Sequence, residues 1–96
     1  MEYRRFGNTI YLRLDPKEEI LEEIGKVAEK ENIRLAQVTG LGAINDFTAG
    51  VYNTVTKEYH SIQFQGAFEI VSLTGTVTRK DGDVYLHLHI AAGDEE

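Results

Sequence analysis

The run Val84-Tyr85-Leu86-His87-Leu88-His89-Ile90 alternates strictly, and the four residues before it, Lys80-Asp81-Gly82-Asp83, read as a two-residue hairpin turn. Successive side chains of an extended segment leave opposite faces, so Val84, Leu86, Leu88 and Ile90 line one side and Tyr85, His87 and His89 the other. Asp-Gly suits a hairpin because Asp tolerates and Gly favours positive φ. The preceding run Phe68–Thr78 must then return antiparallel beside Val84–Ile90. This pairing constrains the fold most: it demands a sheet with one greasy face and something to cover that face.

The cover is legible further back. Asn8–Leu14 alternates Ile10, Leu12 and Leu14 against Thr9, Tyr11 and Arg13 and reads as a strand. Asp15-Pro16 ends it, with Asp15 placed as an N-cap, Pro16 at the first helical position and Glu18 at the capping-box position, so a helix is expected from here. Ile20, Leu21, Ile24, Val27 and Ala28 form one apolar stripe, while the lysines and glutamates between them, Glu23 among them, ring the solvent side. Asn32 suits the left-handed residue that closes a helix. Ile33–Thr39 reads as a strand, followed by Gly40-Leu41-Gly42-Ala43. No helix follows these glycines, so a phosphate loop is disfavoured and a tight bend or bulge is expected at Gly40 and Gly42. Asn53–Lys57 is expected to turn, Gln65-Gly66 to break the next strand, and Gly75 to interrupt the one after.

With 96 residues the chain is expected to be one α+β domain, an antiparallel β-sheet with one main helix packed on a face, able to bury ~60–65% of its unfolded surface. No apolar run reaches membrane-spanning length and Met1–Arg5 leads into no signal-peptide core, so a cytoplasmic protein is expected. The absence of cysteine removes disulfides and thiolate chemistry, leaving His, Asp and Glu as the strong metal ligands. A net charge of −6, from 16 acidic and 10 basic residues, opposes direct binding to a phosphate backbone, with Arg4, Arg5 and Arg13 the only basic cluster on offer.

His87 and His89 are the candidate chemical centre. Two imidazoles at i and i+2 sit about 7 Å apart on one strand face, close enough to share a metal ion or anionic group if a third ligand arrives. Glu69 and Ser72 lie on the strand expected beside them.

Four blocks, Ile10–Asp15, Val38–Ala43, Gly66–Gly75 and Leu86–Ile90, together resemble the plants-and-prokaryotes conserved (PPC) domain in order and spacing, over nearly the whole chain. The resemblance implies assembly as a homotrimer. It also implies a contact patch at Gly66, Phe68 and Glu69, where Ala67 replaces the family's arginine, and structural or contact roles for Gly40 and Gly42. Prokaryotic members are often labelled predicted DNA-binding proteins; plant members bind DNA through an AT-hook, and no Arg-Gly-Arg-Pro-like segment occurs here. Some members look metal-binding, through histidines matching His87 and His89 and a third from a later Gly-Gly-His-Leu segment that this sequence does not contain. The expected function is therefore a trimeric binding and assembly module, reaching DNA only weakly or through a partner, with no membrane association and a His-x-His cleft for zinc or an unidentified small ligand. The alternative is a zinc-dependent hydrolase or lyase, as the similar His-x-His strand of acetolactate decarboxylase suggests.

Overall fold

A two-residue loop with Gly7 at its first position (φ 61°) folds the N-terminal segment onto itself, so that β1 (Glu2–Phe6) pairs antiparallel with β2 (Thr9–Arg13), from Glu2 opposite Arg13 to Phe6 opposite Thr9. The computed structural model describes residues 1–96. The remaining elements are α1 (Ile20–Lys30), β3 (Ala36–Asn53), β4 (Glu58–Lys80) and β5 (Asp83–Gly93), and the second sheet has the order β3-β4-β5. Two compact units emerge: Met1–Ala36 with Thr76–His87, and Gln37–Gly75 with Leu88–Glu96.

In the first unit the helix begins at Ile20 rather than Pro16. Pro16 and Lys17 (φ 74°) instead form the centre of a turn in which the Glu18 N–H donates to the Asp15 carbonyl at 3.2 Å, the dihedral pattern of a type II turn. The expected capping-box bond exists, Asp15 N–H to Glu18 Oε1 at 2.6 Å, but it spans this turn. The Asp15 carboxylate faces the Met1 ammonium at 2.9 Å, and Glu19 becomes the N-cap, accepting from the Glu22 N–H at 2.7 Å. The C-terminus closes as the sequence suggests. Asn32 takes φ 52°, the Ile33 N–H reaches the Ala28 carbonyl and the Asn32 N–H the Glu29 carbonyl, which together form a Schellman motif.

Ile24, Val27 and Ala28 of α1 and Val77 of β4 are the buried apolar residues. Leu21 of the expected stripe is exposed, while Glu23, expected on the solvent ring, is buried to 7% exposure and accepts from Lys26 Nζ at 3.1 Å. That hydrogen bond holds the Lys26 ammonium above its usual pKa.

The Met1 ammonium also lies 2.7 Å from Glu18 Oε1. Hydrogen bonds to Glu18 and then Asp15 raise the amine's pKa, and the same contacts lower both carboxyls. The lowered carboxyls contribute stability that is present above their unfolded range and lost as pH falls; the raised amine contributes stability that is present below its unfolded range and lost as pH rises. Thermal melts of the 96-residue chain should thus show a plateau at neutral pH with a shallow fall on each side. The double variant Asp15→Asn, Glu18→Gln should flatten both limbs, and an unchanged alkaline limb would refute the clamp.

In the second unit the strands are longer than the sequence suggests. β3 runs through Gly40 and Gly42, and β4 through Gln65-Gly66 and Gly75, so neither strand ends at these glycines. Gly42 and Gly66 do take a φ of 143°. A Cβ on Gly40 would lie 2.9 Å from Leu73 Cδ2, so this glycine permits close approach of a neighbouring side chain. Each strand also shifts phase further along. The half-buried positions pass from Val38, Gly42 and Ile44 to Phe47 and Ala49 in β3, and from Phe68 and Ile70 to Leu73 and Gly75 in β4. Each is a slip of one residue, the effect a β-bulge has on a strand. Asn53–Lys57 turns as expected, with Asn53 Oδ1 accepting from the Val55 and Thr56 N–H groups and Lys57 at φ 61°. Asp81 and Gly82, at φ 54° and 89°, make the hairpin between β4 and β5.

Candidate functional site

β5 alternates as its sequence demands: Val84, Leu86, Leu88 and Ile90 are half-buried, while Tyr85, His87 and His89 are exposed. His87 belongs to the first unit and His89 to the second. Zinc in an open site takes three protein donors. Nowhere does the chain gather three or more His, Cys, Asp or Glu side chains that could hold a metal ion, so the residues present do not by themselves fit zinc.

The other candidates lie along β3 and β4. Glu69 is exposed, Gly66 sits one turn of the pleat before Phe68, and Gly40 and Gly42 belong to β3. Phe68 joins a cluster that the sequence reading left unconnected. Its ring meets Phe47 edge-on at 5.3 Å, Phe47 stacks on Phe64 at 5.3 Å, and Phe64 lies 6.3 Å from Phe68. Aromatic residues spaced evenly within strands could have signalled a shared face, but the slip within β3 hid Phe47's phase.

Every residue from Gly50 to Ala67 is exposed. Val51 (75%), Val55 (88%) and Tyr59 (65%) lie in this stretch, with Leu41 (90%) and Val71 (73%) beyond it. Charge is divided unevenly as well. The second unit carries one lysine or arginine, Lys57, against Asp46, Glu58, Glu69, Asp94, Glu95 and Glu96. In the first unit two arginines of the only basic cluster face carboxylates: Arg5 lies 3.4 Å from Glu31, and Arg13 lies 3.3 Å from Glu2. A shallow groove there runs between Gly25, Lys26 and Glu29 of α1 and Asp83, Val84 and Leu86 of β5. No helix is long and apolar enough to cross a membrane.

The fold is shared with solved structures. A protein from Pyrococcus horikoshii described as plant- and prokaryote-conserved (PPC) is 34% identical, with a TM-score of 0.82 over 88% of this chain and 59% of its own. A "putative DNA binding protein" from Bacteroides thetaiotaomicron is 31% identical, with a TM-score of 0.93 over 98% of this chain and 66% of its own. A metal-containing protein from Archaeoglobus fulgidus is 32% identical, with a TM-score of 0.83 over 88% of this chain and 61% of its own. The chain therefore spans 59–66% of the lengths of these proteins. No curated protein matches it. The family model of the Plants and Prokaryotes Conserved domain matches residues 1–96. With that match, and with relatives above 30% identity that share its fold, the chain belongs to the Plants and Prokaryotes Conserved (PPC, also written PCC) domain family.

Proposed function

We propose that the chain is a PPC-type binding and assembly module that works as a homotrimer and reaches DNA through a partner. The observation that carries this reading is the exposed run Gly50–Ala67 with its large apolar side chains, because a β-ribbon that buries neither face is marginal alone and gains stability from a neighbour. The electrostatics argue for the indirect route to DNA. Phosphate binding needs free cations to displace counterions, and the second unit offers Lys57 alone while Arg5 and Arg13 are engaged by carboxylates. The Bacteroides relative's description supports a DNA connection for the family without fixing its route. Sedimentation equilibrium at concentrations of tens of micromolar should return the mass of a trimer. A monomer alone at that concentration would overturn the reading.

The His87 and His89 face serves in this proposal as the ligand face. The metal-containing Archaeoglobus relative favours a second reading, zinc held by both imidazoles with a donor from another subunit. Elemental analysis of the same trimer separates the two: zinc that disappears in His87→Ala, His89→Ala supports the metal, and its absence from the parent leaves only the ligand face.

A further inference from the structure

Residues 15–19 carry the signals of two local structures and adopt one of them. As a helix start the segment is complete: Asp15 suits the N-cap, Pro16 the first helical position, and Glu18 the place from which a carboxylate reaches back to the cap N–H. That last bond is already made, at 2.6 Å, yet the segment is a turn. Lys17 stands at the third position of this type II turn with φ 74°, where glycine is preferred because a side chain crowds left-handed backbone. The turn thus keeps a strained residue that a helix would relax. Glu19, in extended backbone at φ −93° and ψ 127°, serves as the substitute N-cap, its carboxylate accepting from the Glu22 N–H at 2.7 Å.

The group that opposes the longer helix is the Met1 ammonium. It lies 2.9 Å from Asp15 Oδ2 and 2.7 Å from Glu18 Oε1, while Arg13 Nη2 stands 3.5 Å from Asp15 Oδ1. With both oxygens engaged, the Asp15 carboxylate does not turn to the Lys17 and Glu18 N–H groups, as an N-cap must. We propose that residues 15–19 are a two-state element set by the group at the amino end of Met1: a charged amine holds the turn, and an amide there, from an acyl group or from a preceding residue, lets α1 grow by one turn to begin at Pro16. An amide nitrogen has one N–H and no charge, so it cannot bridge two carboxylates. Arg13 alone, 64% exposed, is a weak hold. The freed Asp15 caps the longer helix, Lys17 leaves positive φ, and the Glu22 N–H passes from the Glu19 carboxylate to the Glu18 carbonyl. Glu18 and Glu19 then sit in the first turn, at the positive end of the helix dipole. The amine selects the turn because its bond to Asp15 belongs to that state alone. All these groups lie within the first unit, so the proposal is independent of the assembly reading.

The test compares the 96-residue chain synthesised with a free and with an acetylated amino terminus, at neutral pH. Acetylation should add residues 16–19 to the 11 of α1, raising the helical signal at 222 nm by about a third and giving helical Cα chemical shifts at those positions. Lys17→Gly suits the turn and weakens the helix, and should hold the acetylated chain in the turn. Glu19→Ala should lower the melting temperature of the free-amine chain by roughly 4–8 °C, because Glu19 caps its helix, and leave the acetylated chain unchanged, because there the residue is interior. Acetylated and free chains with the same shifts at residues 16–19, a turn lost with no helix gained, a helix that survives Lys17→Gly, or an equal fall in both forms with Glu19→Ala overturns the proposal.

Discussion

Arg79→Ala lowers the stability of the first unit by about 3 kcal/mol, as much as truncating a buried aliphatic side chain. The side chain is 16% exposed and its guanidinium closes three backbone groups at once. Nε donates to the Ile33 carbonyl at 3.0 Å, Nη2 to the Ala28 carbonyl at 3.3 Å, and Nη1 to both the Gly82 carbonyl at 3.3 Å and Glu29 Oε1 at 3.1 Å. It therefore caps the C-terminus of α1, where a cation also meets the negative end of the helix dipole, and ties that end to the β4–β5 turn. Removing it strands the Ile33 and Gly82 acceptors in surroundings that the side chain had filled. For a domain of this size the melting temperature should fall by roughly 12–24 °C. Two companions identify the cause. Arg79→Lys should recover less than half of the loss, because one ammonium cannot span a fork. Glu29→Ala should cost under about 1 kcal/mol, since Glu29 is 61% exposed and such ion pairs contribute little. Urea midpoints showing Glu29→Ala as damaging as Arg79→Ala would assign the effect to the ion pair and sink the capping account.

Nothing near Arg79 in the sequence announces this role. Its partners on α1 and the loop after it lie 46 to 51 residues away, and only the folded chain brings them together. Local signals were read more faithfully where one residue decides the geometry: Asp81-Gly82 makes the hairpin, Asn32 ends the helix and Asn53 starts a turn, each through its own φ or side-chain oxygen. They misled where two local rules competed. Asp15-Pro16 satisfies a helix N-terminus and a type II turn equally well, and the Met1 ammonium's hold on Asp15 and Glu18 sides with the turn. Gly66 and Gly75 read as strand breakers because propensity is local, whereas a long antiparallel partner can carry a glycine through. The β1 strand escaped notice because Glu2–Phe6 places its apolar residues three apart, off the period of two.

The site was legible in part for the same reason. Alternation alone puts Tyr85, His87 and His89 on the exposed side of β5, and they are there. Whether Glu69 accompanies them depends on register, and the slip at Val71-Ser72 lies between the reading and the answer. The exposed run Gly50–Ala67 could not be read at all. Its Val51, Val55 and Ile62 look like core residues in a one-dimensional pattern, and only the folded chain shows them exposed.

Gly50→Ala opens the Gly50–Ala67 ribbon while sparing the first unit. A Cβ at Gly50 would lie 2.5 Å from the His60 carbonyl oxygen and 2.6 Å from Tyr59 Cε1, inside the distance that real Cβ atoms keep. The Tyr59 ring can swing away, but the carbonyl belongs to the β4 backbone and moves only if β3 and β4 separate. Overpacking of this kind costs about 2–3 kcal/mol, and a ribbon exposed on both faces has little packing energy to set against it. Hydrogen exchange should therefore accelerate at least about tenfold across residues 50–67. The unfolding midpoint set by Arg79 and Val77 should stay within about 0.5 kcal/mol, because those residues share no partner with Gly50. Gly40→Ala is the matched control. Its nearest obstacle is Leu73 Cδ2 at 2.9 Å, the tip of a rotatable side chain, so it should cost about 1 kcal/mol and leave residues 50–67 protected. If exchange in the ribbon is unchanged by Gly50→Ala, the strands there are already free to part, and a preformed β3–β4 ribbon is ruled out.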